Sequence, residues 1–246
     1  MPDEPGNTRW LTPRERELAV KRIERDTVGL APRGSTWNGL RQAVQDPKAW
    51  LFVLMQNLHI SACSFTFFFP TIVKAMGFSN TKALLLTAPP YFVAGIFGIV
   101  IAWTSGHFNE RTWHITATLL LAVIGFVITV STLDAAARYV ASIIFATGAF
   151  GAGSVILGWL SATLSQTPEK KAVAYSMVNV AATIAYIYTA YLWPESDGPR
   201  YLPGFIAMAC FAGGSLLCAW AMRVWLMALN RKIRTEENET TVAYAY

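Results

Sequence analysis

The chain has 246 residues, of which 54% are apolar and only 14% are charged, and its mean hydropathy is +0.37. Because a water-soluble domain is usually about one-quarter charged, this composition argues against an ordinary soluble enzyme. The net charge of +5 could suit a nucleic-acid partner. However, the basic residues flank long apolar runs, which is typical of a membrane protein, so no nucleic acid is expected.

Residues 1–48 form a polar arm ahead of the first apolar run. The stretch TPRE at residues 12–15 predicts a helix start, because it is a capping box with Pro13 at the first helical position. Leu18 and Ile23 give this helix a weak apolar stripe, so we expect a short amphipathic helix at the lipid headgroups or on nearby loops. The sequence GLAPRGSTWNG is predicted to end it.

Six later segments are each long and apolar enough to cross a bilayer, which takes about 20 residues. They predict an all-α membrane protein with six transmembrane helices in residues 49–229, followed by a disordered tail in residues 230–246. The predicted spans are residues 49–73, 84–104, 113–133, 138–164, 172–193 and 202–229.

The basic residues are distributed unequally between the two sides of such a bundle. Six spans place both termini on one side, and the opposite side keeps Lys74, Lys82, Arg138 and Arg200. The other sixteen of the 20 basic residues share the side of the termini. The positive-inside rule therefore predicts that both termini are cytoplasmic.

Four polar side chains within the spans are candidate substrate-binding residues, because polar groups in a bilayer are costly and tend to face a cavity or a partner. Asn57 and His59 lie in the first span, Tyr91 in the second and Asn179 in the fifth. An imidazole and amides could bind a carboxylate or an amide, and His59 could exchange protons. The alternative for Asn57, His59 and Asn179 is a hydrogen bond to a neighbouring helix. The alternative for Tyr91 is anchoring at the membrane interface.

Motifs for other chemistry are missing from the sequence. There is no GxxxxGK[ST] phosphate loop, no HExxH pair and no nucleophile elbow, so we expect neither an enzyme nor a bound cofactor. Cys63, Cys210 and Cys218 have no CxxC spacing. They are interpreted as small buried apolar side chains, and no metal site is expected.

Three stretches together resemble one known family. FFPTIVKAMGFSNTKALLLTAPPY, residues 68–91, is similar to the seventh and eighth helices of the major facilitator superfamily. The closer resemblance is to its anion:cation symporter family, in the fungal allantoate-permease-like branch. KKAVAYSMVNVAATIAYIYTAYLWPESDGPRYLPGF, residues 170–205, is similar to the eleventh helix and the following loop. Residues 2–26 resemble the loop that joins the two six-helix halves.

The resemblance implies that this chain is the C-terminal six-helix half of a twelve-helix permease in the plasma membrane. It also implies alternating access, with small organic anions such as carboxylates, allantoate-like or vitamin-like compounds carried together with protons. Asn57, His59, Tyr91 and Asn179 would then face one central cavity on helices seven, eight and eleven. The partners would be a separate N-terminal half or a second copy, besides the bilayer.

Two other hypotheses compete with transport. The chain could be a truncated, non-transporting membrane protein with a regulatory role, or an intramembrane enzyme. The lack of an acid–base or metal-ligand set in the spans disfavours the enzyme. One departure from the family concerns the loop SGHFNERTWH, where Gly106 and His107 replace the usual Asp-Arg pair and Arg111 remains.

Overall fold

A computed structural model describes residues 8, 10–26, 35–236 and 244–246. The described residues form helices and no β-strand. The α-helices are α1 (Pro13–Asp26), α2 (Thr36–Gln45), α3 (Pro47–Ala62), α4 (Phe65–Lys74), α5 (Asn80–Leu86), α6 (Ala88–His107), α7 (Thr112–Ser131), α8 (Ala135–Thr163), α9 (Pro168–Thr189) and α10 (Leu202–Glu236).

The predicted all-α class and the six membrane-spanning helices are confirmed. Among the described residues, six helical segments are long and apolar enough to cross a membrane. The first consists of α3 and α4 and the second contains α6 together with most of α5, while α7, α8, α9 and α10 supply the other four. The chain is therefore an integral membrane protein built as a helix bundle. We call the end where α3 begins and α10 finishes the terminal end.

The centre of the bundle is α8, which packs on α7 and α6 on one side and on α3 on the other. A side chain at Gly148 would place its Cβ 2.5 Å from the Thr118 carbonyl oxygen of α7. At Gly125 the same atom would lie 2.6 Å from the backbone nitrogen of Phe145 in α8. These glycines let the two helix backbones approach closely, as small residues do in membrane bundles.

The helix break in the first span lies several residues before Pro70. The backbone turns at Cys63 and Ser64, between α3 and α4, and Pro70 itself lies inside α4. Since proline has no N–H, it cannot supply the helical hydrogen bond to the carbonyl of Thr66, four residues earlier. This carbonyl is therefore available to another donor.

The arm contains two helices, α1, which was predicted, and α2, which was not. The capping box is present: the Thr12 backbone N–H donates to the Glu15 carboxylate at 2.8 Å, and the Glu15 N–H donates to the Thr12 hydroxyl at 3.4 Å. Helix α2 packs against the start of α9. The contact is close at Gly39, where a Cβ would lie 2.7 Å from the Cβ of Glu169.

An ion pair ties the arm to the bundle. Asp46 follows α2 and accepts a hydrogen bond from the Lys170 ammonium of α9 at 2.7 Å. The arm is thus attached to the terminal end by packing and by charge.

The C-terminal part differs from the prediction. Helix α10 continues to Glu236, beyond the predicted end at residue 229, and residues 244–246 contact the bundle. Residues 237–243 of the predicted disordered tail lie outside the described residues. Cys63 and Cys218 are buried as expected, whereas Cys210 on α10 is exposed, so its interpretation as a buried side chain was wrong.

Candidate functional site

Helix α9 has two chemically different sides. Its buried side consists of Ala174, Val178, Ala182 and Ala185, which are at most 5% exposed. A second side carries Tyr175, Asn179, Thr183 and Tyr186, spaced by three or four residues and hence aligned along the helix. We call these four residues the polar stripe.

The polar stripe is accessible in the isolated bundle. The Asn179 amide donates to the Tyr175 carbonyl oxygen of its own helix at 3.0 Å, and the Thr183 hydroxyl donates to the Asn179 carbonyl oxygen at 2.9 Å. Tyr186 packs edge-on against Phe67 of α4, with 4.8 Å between the ring centroids. The Asn179 side chain is exposed and its hydrogen bond stays within α9, so it can bind a further group.

A cavity of about 550 Å³ lies between α6 and α8. Tyr91 stands at its edge, and its hydroxyl donates at 3.3 Å to the Thr66 carbonyl oxygen that Pro70 leaves without a helical donor. The cavity lining combines two aromatic rings, aliphatic and small residues, and two hydroxyls: Tyr91, Ala94, Gly95, Gly98, Ile99, Ala102, Phe150 and Ser154. Tyr91 therefore both satisfies a broken helix turn and lines a cavity.

His59 is buried between α3 and α8, with only 2% of its surface exposed. Its Nε2 lies 2.8 Å from the Ala149 carbonyl oxygen, so this nitrogen carries the proton that makes the bond. Its Nδ1 has no hydrogen-bond partner among the described residues. Gly153 gives the ring room, because a Cβ there would lie 2.9 Å from the imidazole Cε1. A free lone pair on a buried imidazole can accept a proton or a hydrogen bond.

Asn57 is engaged by the opposite side of α9. Its amide donates to the Ala181 carbonyl oxygen at 2.7 Å, and the Tyr188 hydroxyl donates to its Oδ1 at 2.8 Å. Ala181 and Asn179 are two positions apart, which is about 200° around a helix. The structure therefore does not bring Asn57 and Asn179 to one face.

The four candidates consequently fall into three environments. Asn57 lies in a helix–helix hydrogen-bond cluster, His59 lies inside the contact between α3 and α8, and Tyr91 and Asn179 lie at open surfaces of the bundle. Substrate binding by these four residues remains a prediction. Ser154 and Thr183 were not predicted as candidates. The available signal was their position as hydroxyls on the exposed sides of apolar helices.

A charged network links α7 and α10 at the terminal end. Glu110 forms an ion pair with Arg223 of α10 and accepts a hydrogen bond from the Trp113 N–H at 2.9 Å. The Arg111 guanidinium donates to the Ser105 hydroxyl at 3.1 Å, and burial lowers the pKa of Arg111 from its ordinary value. Acidic and basic residues thus still connect the helix ends where the family's Asp-Arg pair is absent.

Comparison with known proteins settles the family. The family model described as Major Facilitator Superfamily matches residues 2–190, which is most of the chain. The chain belongs to the major facilitator superfamily. The packing agrees with this membership, since the spans of a major-facilitator half lie in one bundle of six helices.

Several fungal transporters are similar to this major-facilitator chain. An uncharacterized transporter of Schizosaccharomyces pombe is 28% identical over 238 residues, covering 96% of the chain and 48% of the relative. The major facilitator-type transporter hxnP of Emericella nidulans is 27% identical, with 99% of the chain and 50% of the relative covered. The high-affinity nicotinic acid transporter of Saccharomyces cerevisiae is 27% identical over 71% of the chain and 33% of the relative.

The chain spans about half the length of the curated relatives that it matches over nearly all of its own length. The six-helix bundle of this major-facilitator chain therefore corresponds to only part of such a transporter.

Proposed function

We propose that this chain is the C-terminal half of a secondary active permease for small organic anions. A six-helix N-terminal half would face it, and the two halves would rock around a site near the middle of the membrane. Transport would be coupled to protons, and the N-terminal half would supply the facing wall of the substrate path. A pair of copies of this chain is the other arrangement that the proposal allows.

The observation that carries the proposal is the polar stripe on α9. An exposed amide and hydroxyls on an apolar helix would be costly against lipid, so this side is expected to face a partner or water. The cavity beside Tyr91 and Ser154 opens between α6 and α8. Helix α6 would flank the substrate path together with α9. These two surfaces would form this half's share of the site.

The chemistry of these surfaces fits a small anion with an apolar or aromatic body. The cavity and the polar stripe contain aromatic rings, hydroxyls and an amide but no lysine or arginine. A carboxylate would therefore be held by neutral donors such as Asn179, and a proton carried with it would offset its charge. The free Nδ1 of buried His59 is the proposed acceptor of that proton. The S. cerevisiae relative named for nicotinic acid is consistent with this class.

The same proposal fixes the orientation. Both termini would be cytoplasmic in the plasma membrane, because basic residues concentrate at the terminal end. Protease added outside intact cells should leave an epitope placed after Tyr246 uncut. Cleavage of that epitope in sealed cells would contradict the orientation.

The test of transport supplies an N-terminal half as a separate chain. The chain is coexpressed with the N-terminal six helices of a fungal relative in cells without their own nicotinate uptake, and uptake of labelled nicotinate is measured beside neutral nicotinamide. We expect saturable nicotinate uptake that is stimulated at acidic external pH. Asn179→Ala should reduce it roughly tenfold, the value of one lost charge-assisted hydrogen bond, at unchanged surface abundance.

Thr235→Ala on α10 is the matched control, because the Thr235 hydroxyl donates only to carbonyl oxygens of its own helix in the described structure. A stable surface complex of the two halves that takes up no anion would favour the non-transporting alternative.

A further inference from the structure

Residues 244–246, Tyr-Ala-Tyr, bind at the terminal end of the bundle. We call this tripeptide the clasp. The side-chain amide of Asn230 on α10 donates to the Tyr244 carbonyl oxygen at 2.8 Å and accepts from the Tyr244 N–H at 2.9 Å. One amide thus pairs with both backbone groups of a single residue, which fixes the position of the clasp along α10.

A second contact joins the clasp to the core of the bundle. The indole N–H of Trp159 on α8 donates to the Ala245 carbonyl oxygen at 2.9 Å. Trp159 is fully buried and packs edge-on against Phe52 of α3. An indole has only this one donor, and a buried donor without a partner is unfavourable. The clasp therefore satisfies a group that the bundle itself leaves available.

The two tyrosine rings of the clasp lie beside basic side chains. The Lys48 ammonium of α3 is 5.1 Å from the centre of the Tyr244 ring, and the Arg223 guanidinium of α10 is 5.0 Å from the centre of the Tyr246 ring. Cations over aromatic faces are attractive at such distances. Arg223 also pairs with Glu110, so the clasp joins the charged network between α7 and α10.

Chain length permits this binding within one molecule. Helix α10 ends at Glu236, six residues and less than two turns beyond Asn230, which is a return distance of about 9 Å along the axis. Residues 237–243 connect Glu236 to the clasp, and seven residues can span more than about 20 Å. The occupant of the site can therefore be the chain's own C-terminal segment.

We propose that the terminal end of the bundle carries a binding site for an extended Tyr-Ala-Tyr segment, and that the chain's own clasp fills it. Bound there, the clasp joins the ends of α3, α7, α8 and α10. Any rearrangement that separates α8 from α10 at this end must first break the bonds to Trp159 and Asn230. The site is independent of the proposed transport face, since none of its residues belongs to the polar stripe or the cavity.

The test places a photoreactive group at the clasp of the full chain in detergent. Tyr244→p-benzoylphenylalanine is irradiated, and the products are separated by size and mapped by mass spectrometry. We expect a crosslink within one chain, to peptides that contain Lys48, Gln166 or Asn230, because Tyr244 contacts all three. The same group at Leu217, an exposed residue of α10, should give no crosslink to these peptides.

Two variants in the photoreactive chain measure the individual bonds. Trp159→Phe keeps a ring against Phe52 but removes the N–H, and Asn230→Leu removes the amide at similar size. Each should lower the crosslink yield about tenfold, whereas Thr235→Ala should leave it unchanged. A dimer-sized product would overturn the proposal by assigning the clasp to a second copy. The absence of a crosslink to the three peptides in the otherwise unaltered chain would also overturn it, even if the variants fold poorly.

Discussion

Two pairs of glycines in this bundle have opposite surroundings that the sequence does not distinguish. Gly148 and Gly125 lie where α7 and α8 touch, and a Cβ at either would overlap backbone atoms of the facing helix. Gly95 on α6 and Gly158 on α8 have nothing within 4 Å of the same position. Correspondingly, 61% of the most apolar stretch of α8 is buried in the bundle, whereas only 22% of the most apolar stretch of the second span is buried.

The difference shows which surfaces are finished within this chain. Around Gly148 the packing is complete, and the glycine is required by a neighbour that is present. Around Gly95 the helix surface is open, beside the cavity edged by Tyr91. Together with the polar stripe on α9, this open side is the surface that our proposal assigns to the partner half.

The largest expected effect tests the complete side. Gly148→Val would force α7 and α8 apart, because its Cβ meets the Thr118 backbone carbonyl rather than a movable side chain. We expect the free energy of unfolding to fall by about 3 kcal/mol or more, measured by thermal denaturation in detergent. Gly158→Val adds the same side chain in open space and should change stability by less than about 1 kcal/mol. Equal losses would remove the distinction between the two pairs.

The ion pair at the terminal end should have the next largest effect. Glu110→Gln removes the charge that pairs with Arg223, at a site where the two side chains are only 25% and 17% exposed. The free energy of unfolding, measured by thermal denaturation in detergent, should fall by about 1–3 kcal/mol. Arg223→Gln in the same chain should add only the cost of the Arg223 contacts with Trp220 and Tyr246.

The matched control for that ion pair is Glu17→Gln on α1. Its pair with Lys21 is two-thirds exposed, so Glu17→Gln should leave the free energy of unfolding without a measurable change. Additive losses for Glu110→Gln and Arg223→Gln would show that the two side chains do not stabilise each other.

The two asparagines sharpen the comparison between packed and open surfaces. Asn57→Ala removes hydrogen bonds to Ala181 and Tyr188, so stability should fall by about 1–2 kcal/mol in a urea or thermal titration. Asn179→Ala removes only a bond within α9, and a change below about 0.5 kcal/mol is expected. The opposite order would mean that the open side of α9, not the side facing Asn57, holds the bundle together.

The smallest effect concerns α1, which is not part of either surface. Hydrogen bonds from the Thr12 backbone and hydroxyl lower the pKa of Glu15 from its ordinary value. Because the folded form favours the charged carboxylate, this contribution is present above the ordinary pKa and is lost as pH falls through the lowered one. Carboxyl ¹³C titration should show the lowered pKa, and Thr12→Ala, which keeps the backbone N–H but removes the hydroxyl, should return it part of the way toward the value of a free glutamate. An unchanged pKa in Thr12→Ala would exclude the Thr12 hydroxyl as one of its causes.

Several features followed from the sequence because their causes are local. About 20 apolar residues in a row cannot avoid crossing or burial, so the six spans were predictable from length and hydropathy alone. The cap of α1 was predictable because both partners, Thr12 and Glu15, lie within one helical turn. Pro70 lies inside α4 rather than at the helix break, and its consequence is a free Thr66 carbonyl that Tyr91 satisfies from another span.

What only the tertiary structure decided is the direction in which each polar side chain points. The sequence placed Asn57, His59, Tyr91 and Asn179 within spans, but the rotation and neighbours of each helix determine whether a polar group meets another helix, a cavity or an open surface. Asn57 and Asn179 lie on opposite sides of α9 for this reason. The binding of residues 244–246 to Asn230 and Trp159 was equally beyond the sequence, since it joins segments that no local pattern relates. The sequence by itself determined how many helices cross the membrane and where they lie in the chain, because burial of apolar length is a one-dimensional property. The tertiary structure decided which surfaces are complete and which are open, because that depends on contacts between distant residues.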